Sequence, residues 1–165
     1  MKRSNTPVPD LTASIDIDSL SFLENDERDF VVDLFEVLNV DALSSVQLIS
    51  FMVTRLSAFD ITVPGLTLTA TDQAGATGSS NVGGGRANQN GNWLFKQNSG
   101  FIAVTAANAK VTIPAGGSGS VGFHIKRKAG IPVNTSQNIT VTIVSGSGGE
   151  TNAANNTAVT TVTTT

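Results

Sequence analysis

The chain breaks into short runs in which every second residue is apolar, and this rhythm limits its fold more than any other feature. In "DLTASIDIDSL", Leu11, Ala13, Ile15 and Ile17 share one parity, with Thr12, Ser14, Asp16 and Asp18 between them. A period of two is the mark of a strand with one buried face. "DFVVDLFEVLNV" carries Phe30, Val32 and Leu34 on one parity and Val31, Phe35 and Val37 on the other. It reads as a strand covered on both faces. "FDITV" and "LTLTAT" flank a Pro64-Gly65 turn. Then follow "NWLFKQ", "FIAVTA", "KVTIP", "GSVGFHIKRK", "NITVTIVSG" and "TAVTTVTTT", each bounded by Gly, Asn or Pro. Short strands separated by turn signals predict a β-sandwich or barrel.

Two stretches are less decided. In residues 41–58, Leu43, Val46, Ile49, Val53 and Leu56 would line one face of a helix. The same stretch alternates as a strand would, and its β-like neighbours favour the strand. Residues 73–92, "QAGATGSSNVGGGRANQNGN", hold almost nothing apolar and read as a long surface loop. Asn90-Gly91 within it is a favoured type I′ hairpin pair.

The composition fits this picture. Only 14% of the 165 residues are charged, 5% are aromatic, and Tyr is absent. Gly, Ser, Thr and Asn take up the difference, and they suit turns and pleated surfaces. Cys is also absent, which excludes disulfides and thiol chemistry. A chain of this length buries roughly 70% of its unfolded surface, enough for one domain with its own core. Residues 1–9, with Pro7 and Pro9, read as a linker or start remnant, and residues 10–165 as a single β-sandwich domain. The first twenty residues hold no apolar run of signal-peptide length, so an exported protein would have lost its signal already. No window approaches the ~18 apolar residues of a membrane span.

Charge is unevenly spread. Twelve acids and four bases fall in residues 1–72, and one acid and six bases in residues 73–165. The net values of −8 and +5 sum to the −3 of the whole chain. Such asymmetry either reflects the two faces of a sheet pair or draws one module's end to the next. The basic cluster Lys126-Arg127-Lys128 is short, with only Phe123 beside it, which argues against nucleic acid as a partner.

The groups that carry chemistry are sparse. His124 is the sole His, on the strand parity opposite Phe123 and Ile125, as expected for a structural or exposed His. "GGSGS" (116–120) lacks the final Gly of a nucleophile elbow, so a Ser-His-Asp hydrolase is not indicated. A glycosidase needs two carboxylates across a cleft, whereas these acids alternate with core residues along strands. "ENDERD" gathers Glu24, Asp26, Glu27 and Asp29 at one turn. Oxygen ligands would suit calcium, and Glu24, Asp26 and Asp29 are the candidate ligands. Against them, the EF-hand spacing is missing and Arg28 would oppose a cation. "VGGGRANQNG" lacks the G-K-[ST] of a phosphate-binding loop, which leaves Arg86 as a candidate anion contact. Asn134, Asn138 and Asn155 each open an N-x-[ST] pattern, which arises by chance in so Asn- and Thr-rich a chain. Trp93 follows a hairpin turn and reads as a plug between sheets; an exposed ring there would be a sugar-stacking platform.

Four stretches, taken together, resemble a family of bacterial cell-surface repeat modules. They are "VPGLTLTAT" (63–71), "GNW" (91–93), "IPAGGSGSVGFHI" (113–125) and "GETNAANNTAVTTV" (149–162). Their order is similar to that of adhesion-related repeats in large secreted proteins, notably of Bacteroidetes type. The likeness covers about residues 60–165; the acidic first half departs from the usual module. It implies an immunoglobulin-like antiparallel β-sandwich with Greek-key connections, located outside the cell. It implies a non-catalytic spacer or adhesion role and transfers no catalytic residue. The partners it implies are neighbouring modules or like subunits, and possible surface glycans. Two other functions remain in play: a carbohydrate- or calcium-binding accessory module, and a polymer subunit assembled by strand exchange.

Overall fold

The computed structural model describes residues 11–36, 49–63, 73–75, 81–82, 86–87, 93–106, 118–144 and 155–165. These residues form thirteen strands and no helix. Two sheets carry the architecture. The first has four strands: β1 (Leu11–Ile17), β3 (Glu27–Glu36), β11 (Ser118–Arg127) and β5 (Phe59–Thr62), in that order. The second has seven: β2 (Ser21–Phe22), β13 (Thr157–Thr164), β12 (Ser136–Ile143), β4 (Ser50–Thr54), β10 (Phe101–Ala106), β9 (Trp93–Gln97) and β6 (Gln73–Gly75). A small ribbon pairs β7 (Asn81–Val82) with β8 (Arg86–Ala87), and β7 packs against β11.

The chain crosses between the sheets repeatedly: from β3 to β4, back to β5, from β10 to β11, and again to β12. These are Greek-key connections. The order β1-β3-β11-β5 reproduces the A-B-E-D sheet of an immunoglobulin domain, and β13-β12-β4 reproduces G-F-C. The fold is an immunoglobulin-like β-sandwich. Its seven-stranded sheet is extended by β10, β9 and β6, which come after β5 in the chain.

The alternation seen in the sequence sets which side chains face inward. Phe30, Val32 and Leu34 of β3 are buried, as are Val121, Phe123 and Ile125 of β11. Phe51 and Val53 of β4, Trp93 and Phe95 of β9, and Ile102 and Val104 of β10 face them from the other sheet. Phe123 sits at the centre of this layer. It stacks on Phe30 with centroids 5.3 Å apart, and meets Phe51 at 6.4 Å and Phe95 at 6.3 Å edge-on. Such ring pairs add about 0.5–1.5 kcal/mol each beyond area burial. Val31 is buried on the opposite face of β3, in register with Gly122, so β3 is covered on both sides there.

Of the sequence readings, that of 73–92 needs adjustment. Within residues 50–54 the strand reading of 41–58 is the one observed; residues 41–48 lie outside the described residues. The stretch 73–92, read as one loop, contains β6, β7 and β8, because even Gly- and Asn-rich backbone satisfies its hydrogen bonds by pairing with a neighbour. The Asn90-Gly91 turn, the Pro64-Gly65 turn and "KVTIP" lie outside the described residues. The described hairpin between β9 and β10 instead turns on Asn98. Its Oδ1 accepts from the backbone N–H groups of Gly100 (2.8 Å) and Phe101 (2.9 Å).

Replacing Phe123 with Ala is expected to cost about 3–5 kcal/mol, measured by urea unfolding. A loss below about 1 kcal/mol would mean that the aromatic layer does not hold the sheets together.

Candidate functional site

Several ion pairs of the described residues gather near one end of the sandwich, where β1 ends, β3 begins and β11 ends. Strand alternation splits the basic triplet. Lys126 points outward and reaches Glu27 at 3.7 Å; Lys128 reaches Asp60 at 3.5 Å. Arg127, between them, points inward and is 6% exposed. Its Nη1 donates to the carbonyls of Phe22 (2.9 Å) and Thr165 (3.2 Å), and its Nη2 to the carbonyl of Ile131 (2.9 Å). Its own backbone N–H donates to the Asp26 carbonyl. One guanidinium thus ties together β2, the end of β13 and the loop that follows β11. Its five fixed donors suit it to bridging several carbonyls at once.

Each calcium candidate has a defined place. Asp26 closes the turn before β3: its Oδ2 accepts from the Leu23 N–H at 2.8 Å and from Arg28 at 3.2 Å. Arg28 also donates to the Ser19 carbonyl and lies 3.9 Å over the Phe22 ring, a cation–π contact. Asp29 Oδ1 lies 2.6 Å from His124 Nδ1, across the β3–β11 pairing. Glu27 Oε1 is 3.6 Å from the other ring nitrogen, Nε2. Glu24 lines an open cleft of about 350 Å³ with Arg127, Lys128 and Ile131. Glu24, Asp26 and Asp29 are therefore not brought to one point, and no group of three His, Cys, Asp or Glu with metal-ligating geometry occurs among the described residues. His124 is half-buried between two carboxylates, on the parity read from the sequence.

The binding candidates separate. Trp93 is 1% exposed and meets Phe51 edge-on at 5.9 Å. Its ring is part of the core and offers no face on which a sugar could stack. Its Nε1 has no hydrogen-bond partner among the described residues. Arg86 lies in β8, on the ribbon beside β11, away from the Glu24–Asp29 turn in the chain. Part of the uneven charge of the two halves meets across neighbouring strands. Glu27 of β3 pairs with Lys126 of β11, and Asp29 of β3 lies within hydrogen-bond distance of His124 of β11.

Arg127 is the residue that sequence reading misplaced, as one of a basic cluster. The signal was present: Val121, Phe123, Ile125 and Arg127 share the inward parity of one strand. Phe22 is a buried residue that the sequence did not single out. It is fully buried, packs edge-on against Phe59 at 5.1 Å, and lies in a strand too short to show periodicity.

Comparison with known proteins adds little beyond the architecture. No family model matches the chain, and no curated protein matches its sequence. Among solved structures it is similar to a CARDB domain from Pyrococcus furiosus determined with di-metal ions, at 14% identity and a TM-score of 0.47, over 99% of this chain and 95% of that one. It is similar also to the major pilin subunit of Bacillus cereus (9% identity, TM-score 0.48) and to the major pilin SpaD of Corynebacterium diphtheriae (14%, 0.46). It covers 39% and 33% of those pilin chains. A macrocyclization enzyme of alchivemycin A biosynthesis matches as well, at 7% identity and a TM-score of 0.46. Likenesses this distant assign neither family nor function.

Arg127→Ala is expected to lower stability by about 3 kcal/mol, since hydrogen bonds from a charged donor are worth about 1.5–3 kcal/mol each. Lys126→Ala, which removes only an exposed pair, should stay within about 0.5 kcal/mol. Equal losses for the two would contradict the inward role of Arg127.

Proposed function

We propose that the chain is a non-catalytic structural or adhesion module of a bacterial surface or secreted protein, linked in line with neighbouring modules. The observation that carries this is the direction of β1 and β13. Both run from the same end of the sandwich to the other. At the start, Thr12 Oγ1 donates to the Asn155 carbonyl, which lies just ahead of β13. At the far end, the Thr165 N–H donates to the Phe22 carbonyl, five residues past β1. The chain therefore enters the sandwich at one pole and leaves it at the opposite pole. An eight-residue strand spans about 26 Å. Modules joined through such ends string out lengthwise, with the loops and sheet faces open to partners.

The polar chemistry agrees with this role. His124 is engaged by Asp29, Trp93 is in the core, and Arg127 is bound to carbonyls. These groups maintain the fold. The resemblance of the 60–165 motifs to cell-surface repeats supports an extracellular setting, with like or neighbouring modules as partners. A calcium-binding accessory role is the second reading, favoured only by the acids around Glu24–Asp29.

Two measurements test these readings. Placed between two folded carrier domains, the chain should lengthen the fusion by about the length of the sandwich in small-angle X-ray scattering. Carriers found side by side would contradict an in-line module. Millimolar calcium should leave the melting temperature unchanged, and a rise of several degrees would instead favour the accessory role.

A further inference from the structure

The outer edge of β13 is largely without a ladder partner among the described residues. Its inner edge pairs with β12 along Thr157–Thr163. Among the described residues, its outer edge pairs only with β2, in parallel, at Thr163 and Thr164. Among the described residues, Thr157–Val162 have no backbone ladder partner on that side, while β1 packs close to the strand. The strand reads "TAVTTVTT": it has no charge, no Pro and no Gly. Natural edge strands usually carry Lys, Pro or a bulge against pairing with another chain, and this one carries none of them. Val159, on its outward face, is 53% exposed.

The direction of the free backbone groups can be read from the paired end. The N–H groups of Thr163 and Thr165 point to the β2 side, donating to the carbonyls of Leu20 and Phe22. The N–H of Thr164 points the other way, to Thr135 on the β12 side. Alternation then turns the N–H and C=O of Thr157, Val159 and Thr161 toward the open edge.

We propose that this edge pairs with the same edge of a second copy of the chain, antiparallel about a two-fold axis through Val159. Three constraints select this register. Residues directly opposite must lie on the same face, so their numbers sum to an even value. β2 already holds Thr163 and Thr164, which stops the pairing at Val162. The groups facing the edge must face their counterparts. Placing Val159 opposite its own copy sets Thr157 opposite Thr161 and Ala158 opposite Thr160. All three edge-facing residues of each copy then exchange hydrogen bonds, about six in total. A shift of two residues either way loses a pair or runs into β2. The strand's lack of charge brings no like charges together, and the exposed Val159 side chains cover each other. The result is one continuous sheet running through both copies. A single strand pair buries less than the roughly 1,000 Å² of a durable interface, so the free chain should dimerise only at on the order of 0.1–1 mM. Copies tethered side by side would pair far more readily.

Sedimentation of the whole chain at up to about 1 mM tests this, together with Val159→Lys and Val159→Glu. The wild type should show concentration-dependent dimers. Each variant should stay monomeric, because like charges then stand directly opposite, while its circular dichroism and melting remain those of the wild type. An equimolar mixture of the two variants should dimerise again. A wild type that stays monomeric, or a Lys variant that dimerises like it, would overturn the proposal. A mixture that fails to associate would overturn the two-fold register.

Discussion

Phe123 is the contact on which the rest depends. It belongs to the four-stranded sheet, yet touches Phe51 and Phe95 of the seven-stranded sheet as well as Phe30 of its own. With few aromatic residues and no disulfide, the chain has few other means of joining two sheets. Nearly all its aromatic rings go into this one layer: Phe22, Phe30, Phe51, Phe59, Trp93, Phe95 and Phe123 are all buried. The Thr-, Gly- and Asn-rich surface can be plain because the layer beneath it is not.

Around that layer, polar groups act as ties. Arg127 closes the far pole by bridging three carbonyls from separate segments. Asp29 and His124 join β3 to β11 on the outside of the first sheet. Asn25 and Asn134 adopt left-handed backbone, with φ of 66° and 65°. Asn does so at lower cost than most residues because its side chain can hydrogen-bond locally. The same groups would be candidates for chemistry in another setting. Here their partners are other parts of the fold.

The sequence made the sandwich readable because burial on one face forces a period of two, and β1, β10, β11 and β12 each show it. It also placed Trp93 between sheets and His124 on the outward parity. Other features were hidden for physical reasons. β2 has two residues, too few for a period, and is defined by its parallel pairing to β13. β6 exists through pairing with β9, and β7 and β8 through pairing with each other, which polar composition does not reveal. Arg127 hides in a basic cluster because charge suggests exposure, whereas strand parity puts it inside. In the final "TAVTTVTTT", Val159 and Val162 fall on opposite parities, and they face opposite ways: Val162 is buried and Val159 exposed. That difference separates the strand's core-facing side from its solvent-facing side.

The central claim is that one aromatic layer, centred on Phe123, clamps two sheets whose ends lead the chain in and out at opposite poles. Nuclear Overhauser contacts of the Phe123 ring test it most directly. The account predicts cross-peaks from that ring to Phe30 in its own sheet and to both Phe51 and Phe95 in the other. Cross-peaks confined to Phe30 would contradict it.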